Sequence, residues 1–272
     1  RLRDDSPVDS RSSSRLPMNP GGPLVSPREE GVVLGNERTA SRWLFHGAYW
    51  TFVLGGAALL AYLLQGYLPP RIPAAELLVF FVFLVGADTR LGESQATGGR
   101  VLSSKCVVLS VIALFGPAVA AVMEAASALL RGLVLRNGGN PRKAVFNAAM
   151  LAASAGIAGL VYQALPWSGR FDGPLFVVPL AGAMVAHSVV NFFMVGTIIS
   201  LDSQLPIQRV YRRSLSVERL RGLIDASFAV MIILLYQQAG AWTLLLFLFP
   251  VLALWQSDRL YQRNKEAHIN SI

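Results

Sequence analysis

Residues 106–130 read CVVLSVIALFGPAVAAVMEAASALL, a run of apolar and small residues in which Glu124 is the one charge. By length it would cross a bilayer, which takes about 20 apolar residues in a helix. Gly116-Pro117 stands in its middle. Proline lacks a backbone donor, clashes with the turn before it and biases its predecessor away from helix. The run is therefore either one kinked span or two helices of roughly 10–14 residues, the length of a re-entrant segment. The two readings put every segment before it on opposite sides of the membrane.

The flanking sequence supplies the other spans. Leu44 to Leu68 carries no charge and ends at Pro69-Pro70. Ile72 to Ala87 is shorter, with Glu76 near its outer end. Ala144 to Leu165 is closed by Pro166, and Gly173 to Leu201 is uncharged throughout. Ala226 to Ser257 is too long for one helix, and its turn is expected at Gln237-Gln238-Ala239-Gly240. The loop at 88–105 contains Gly98-Gly99.

Charge decides between the readings. If 106–130 enters and leaves on one side, then 22 of the 24 Lys and Arg share that side, and Arg71 and Arg170 lie on the other. If it crosses once, the split is 13 to 11. Cationic loops are retained in the cytoplasm, and the bias acts within about 15–20 residues of a span. Without Arg1, Arg3, Arg11 and Arg15 the comparison is still 18 to 2 against 13 to 7. The expectation is an all-α integral membrane protein with about six transmembrane helices and a re-entrant helical pair broken at Gly116-Pro117. Irregular backbone at that depth must be surrounded by protein or water, so the other helices should enclose the pair. Residues 1–42 read as a polar cytoplasmic tail, 43–258 as the transmembrane domain and 259–272 as a cytoplasmic helix. Both termini are expected on the cytoplasmic side of a bacterial inner membrane.

Composition agrees. The chain is 53% hydrophobic and 15% charged, with a mean hydropathy of +0.48, where soluble domains carry about 25% charged residues. A net charge of +8 invites a nucleic-acid reading, but the basic residues flank apolar runs, where topology explains them. Cys106 is the single cysteine, which excludes an intrachain disulfide and a multi-cysteine metal site. No P-loop, GxSxG, HExxH or paired His-Asp motif is present. No catalytic residue, metal or cofactor is expected.

Polar residues inside spans are the ligand-site candidates, because each is costly in hydrocarbon unless it faces a partner or a cavity. His187 and Asn191, four apart, share a helix face. Asn147, Glu124 and Gln163 complete the set; if they converge, they form a polar pocket between apolar helices. Interhelical hydrogen bonding would equally account for them. Ala148, Ala152 and Gly156, with Gly159 nearby, form a small-residue stripe that reads as helix packing. The 202–221 loop carries Arg209, Arg212, Arg213, Arg219 and Arg221, which suit an anionic leaflet.

Three segments carry a resemblance. FGPAVAA at 115–121, FNAA at 146–149 with the small residues after it, and FPVLA at 249–253 followed by DRLYQRNKEAH at 258–268 resemble the membrane region that precedes the HD-GYP phosphohydrolase domain in some bacterial cyclic-di-GMP signalling proteins. The likeness covers roughly residues 100–272. It implies a sensor-like input region whose last span runs into a helix bearing the output domain. No HD or GYP residues are present here, so phosphodiesterase activity would belong to sequence outside these residues or has been lost.

The resulting expectation is a non-enzymatic membrane input module with lipid as its solvent and a protein partner or second copy bound through its helices, without nucleic acid. An accessory subunit of a respiratory or photosynthetic complex, and a substrate-binding component of a transporter, are the alternatives.

Overall fold

The computed structural model describes residues 27–71, 73–88, 93–94, 99–100, 104–135, 140–242, 244 and 256. Side chains are described from Trp43 onward, apart from 88, 93–94, 99–100, 135 and 209–221. Seven helices account for most of this: α1 Pro27–Gly66, α2 Ala74–Asp88, α3 Ser104–Phe115, α4 Pro117–Leu130, α5 Pro141–Ala164, α6 Val177–Ser203 and α7 Ile207–Ala239. A two-residue antiparallel ladder, β1 Glu93–Ser94 with β2 Gly99–Arg100, lies between α2 and α3 in the chain. The chain forms two units, Arg1–Ala40 and Ser41–Ile272; the architecture below is that of the second unit.

Helix ends follow local chemistry. Proline opens α4 and α5, where its missing N–H costs nothing. The Asn140 side chain caps α5 by accepting from the Arg142 N–H at 3.0 Å. At the end of α6, Gln204 adopts a left-handed conformation (φ 54°) and Pro206 follows. Gly240, at φ 71°, stops α7, within the Gln237–Gly240 turn expected from the sequence.

Pairwise contacts give the helix directions. Tyr49, Gly56 and Leu63 of α1 meet Arg142, Ala149 and Gly156 of α5 in seven-residue steps, so α1 and α5 run parallel. Gly182 near the start of α6 sits against Val161 and Leu165 near the end of α5, while Met194 clusters with Phe146 and Met150. Hence α6 is antiparallel to α5, and the short turn at 204–206 sends α7 back again. Glu76 at the start of α2 receives a hydrogen bond from Tyr236 near the end of α7, so these two ends meet.

The broken segment resolves in the same way. Ser110 of α3 donates to the Ala229 carbonyl of α7 at 3.4 Å, and Phe115 packs edge-on to Tyr236. So α3 runs parallel to α7. Pro117, opening α4, lies against Gly159, and Gly132 beyond its end lies against Ala144. So α4 runs antiparallel to α5. Because α5 and α7 point the same way, α3 and α4 form a hairpin that turns at Gly116, a glycine at φ 90° where other residues are strained. The chain enters and leaves at one end of the bundle.

The expected enclosure is observed for α3, whereas α4 exposes Val122. Cys106 to Ile112, seven consecutive residues, are all buried. An amphipathic helix would expose part of this stretch; α3 is walled by α2, α4, α5, α6 and α7, which all contribute to its apolar cluster or touch it directly. The small-residue stripe of α5 is what admits its neighbours. Gly156 receives Leu59 and Leu63 of α1, and a Cβ on Gly159 would stand 2.5 Å from Pro117 Cβ.

Other expectations need correction. Four of the six expected full spans coincide with helices long and apolar enough to cross: Trp43–Gly66, Pro141–Ala164, Pro174–Ser203 and Gly222–Trp242. The second is not one of them: α2 has 15 residues, about 22 Å of helix, less than the roughly 30 Å hydrocarbon thickness. The fifth long helix, Pro117–Val134, belongs to the hairpin, because a π-helical turn at Arg131–Leu135 extends α4. The 202–221 region is not a loop. After the turn at Pro206 nothing breaks the helix, and Arg, Leu and Glu sustain it. Arg209, Arg212, Arg213, Arg219 and Arg221 are thus on α7, with side chains outside the described set. The polar tail at 1–26, most of the sixth span and the C-terminal helix also lie outside the described residues.

Candidate functional site

The groups that stand out are buried and polar in a bundle whose other inward residues are apolar. Among the described residues these are Ser110, Glu124, Ser127, Ser154, His187 and Asp225. Two of the serines are satisfied by their own helix. Ser110 donates to the Cys106 carbonyl at 2.8 Å and Ser154 to the Met150 carbonyl at 2.9 Å. Neither needs a ligand.

His187 is different. It is 3% exposed, and neither ring nitrogen has a hydrogen-bond partner among the described residues. One turn further along α6, the Asn191 side-chain oxygen is also buried and without a hydrogen bond. The opposite side of α6, at Val185, Val189 and Phe193, is exposed. His187 and Asn191 therefore share the inward face, as their spacing requires.

Charge gathers beside this face. Lys105, at the start of α3, is within coulombic range of His187. Asp225 of α7 is 3% exposed and lies one turn before Ala229. Because Ser110 is beside Ala229 in a parallel pair of helices, one turn back sets Asp225 level with Cys106 and Lys105. The first turn of the innermost helix thus lies among ionisable or polar residues of α6 and α7.

The remaining candidates do not all join this group. Asn147 and Gln163 stand on α5 sixteen positions apart, about 24 Å along a helix. Gln163 is exposed, and its amide is near the hairpin apex at Gly116. Asn147 is half-buried at the opposite end. Glu124 is buried on α4, which packs on α5 and α3. One pocket uniting all five is therefore not formed, because a single helix separates two of them.

Sequence reasoning passed over Lys105 and Asp225. Both sit immediately outside a charge-free run, Asp225 before Ala226 and Lys105 before Cys106. The span containing Asp225 begins at Gly222. A helix that continues without a breaker through 207–239 carries its charges to whatever depth packing sets. Among the described residues, no three His, Cys, Asp or Glu are grouped closely enough to hold a metal ion.

At the other end of the bundle, Phe80, Phe115 and Tyr236 form a triad of edge-to-face rings with centroids 5.5–5.8 Å apart. The Tyr236 hydroxyl donates to the Glu76 carboxylate. This ties α2, α3 and α7 together one residue before the turn at Gly116.

No curated protein and no solved structure matches the chain. The family model of MASE9, a membrane-associated sensory domain family, matches residues 74–262, from the first residue of α2 through all the helices that follow. The chain belongs to the MASE9 family.

Proposed function

We propose that this chain is the input module of a bacterial signalling protein in the cytoplasmic membrane, with both termini in the cytoplasm. A stimulus is received around the first turn of α3 and leaves through the chain that follows α7. The observation that carries this reading is the placement of buried His187 and Asp225 beside the first turn of the most buried helix, which carries Lys105. Ionisable residues at membrane depth are costly and are kept where they do something. Membership of a sensory family supports the same reading. The crowding of 22 of 24 Lys and Arg at one side of the hairpin topology supports the orientation.

The output we propose is an HD-GYP phosphohydrolase acting on cyclic di-GMP, in keeping with the resemblance at 115–121, 146–149 and 249–268. The chain itself then acts by conformation and carries out no chemistry. A chimera joining residue 272 to such a domain tests both proposals. Cyclic-di-GMP hydrolysis in isolated membranes should change by severalfold in Asp225→Asn and His187→Phe, at equal membrane abundance. Output indifferent to both substitutions would contradict the reading.

A further inference from the structure

We infer that His187 and Asn191 form a binding site for a neutral, membrane-soluble molecule carrying a hydroxyl group. The inference rests on the sensory reading above and adds to it the chemistry of the ligand.

Three unsatisfied positions define that chemistry. Neutral imidazole presents one N–H donor and one bare nitrogen acceptor, whichever tautomer holds. Both ring atoms are without a hydrogen-bond partner among the described residues. The Asn191 amide oxygen adds a second acceptor. Leaving such groups dry costs about 1–3 kcal/mol each, and orphaned buried polar atoms point to a missing ligand or water. A hydroxyl can accept from the imidazole N–H and donate to the Asn191 oxygen, which satisfies two of the three positions and leaves the bare ring nitrogen to a second hydroxyl or a water. A carbonyl only accepts, and would leave Asn191 unsatisfied.

Access narrows the class. Among the described residues no three-ligand metal group includes His187. The site is on α6 within the Pro174–Ser203 span, with Val185, Val189 and Phe193 exposed on the other side of the helix. A ligand arriving through hydrocarbon must itself be apolar apart from the hydrogen-bonding group. Long-chain alcohols and quinols share this description, and the experiment separates them.

The test uses the full chain in nanodiscs with 15N-labelled histidine, following the His187 ring resonances against His46 and His268 as internal controls. The probes are 1-decanol, decylubiquinol and decylubiquinone. Saturable shifts confined to His187 are expected, with the alcohol or the quinol giving the tighter binding and so identifying the source. The quinone should bind about tenfold more weakly than the quinol, since one hydrogen bond is lost. Asn191→Leu should reduce quinol or alcohol affinity by a similar factor while the His46 and His268 resonances stay in place. Shifts of all three histidines together, equal affinity for quinone and quinol, or a His187 resonance that reports exchange with water and no response to any probe would each overturn the assignment. The chimera assay reads output without any added ligand, so its failure and the failure of this one are distinct.

Discussion

Helices α1 and α3 are both apolar, yet they meet opposite surroundings. In the Trp43–Gly66 span of α1, 11% of the most apolar stretch is buried, and Leu54 is 63% exposed. In α3, Cys106 to Ile112 are buried without interruption. In water such a difference would show as a polar face on α1. In a bilayer lipid is as apolar as leucine, so outward and inward faces are written in the same alphabet. What separates the two helices is size and polarity at particular positions. The close contact of α1 is made at Gly56, against the Ala149 backbone, and α3 carries Ser110 with Lys105 at its start.

That contrast can be broken at three places. The largest effect should come from Leu109→Ala in α3, where a fully enclosed side chain is removed; a loss of about 3 kcal/mol is expected, read as thermal stability in detergent. Leu54→Ala on α1 should stay within about 0.5 kcal/mol, and equal effects would refute the difference in burial. Next, Gly56→Leu should cost about 2–3 kcal/mol by overpacking, because a Cβ there would be 2.5 Å from the Ala149 carbonyl oxygen. Gly55→Leu, with nothing within 4 Å of the added carbon, should be tolerated. Smallest is Tyr236→Phe, which keeps the ring triad and removes the hydrogen bond to Glu76. About 1.5 kcal/mol is expected for the lost hydrogen bond, and an additional Glu76→Gln change should then cost little more.

Much of this fold was legible in the residues. Pro70, Pro117 and Pro166 mark helix boundaries because proline cannot continue a helix, and Gly240 because it takes a positive φ without strain. The hairpin was legible through charge, since a single crossing would have scattered the arginines. The small residues of α5 announced close packing without naming their partners, which proved to be α1 at Gly156 and α4 at Gly159. The site was half legible. Four-residue spacing put His187 and Asn191 on one face. Lys105 and Asp225 were missed, since a charge at the edge of an apolar run looks solvated when only the run is inspected. Asn147 and Gln163 were grouped by residue type, although their separation along one helix already placed them apart.

The hairpin is the claim on which the rest depends. Single cysteines at Ser94, Asn140 and Ser168, each in a Cys106→Ala background, can be labelled with a membrane-impermeant thiol reagent in spheroplasts and in inverted vesicles. Ser94→Cys and Asn140→Cys should label from the same side and Ser168→Cys from the other. Labelling of Ser94→Cys and Asn140→Cys from opposite sides would mean that 104–135 crosses the membrane once, contradicting the turn at Gly116 and the arrangement built on it.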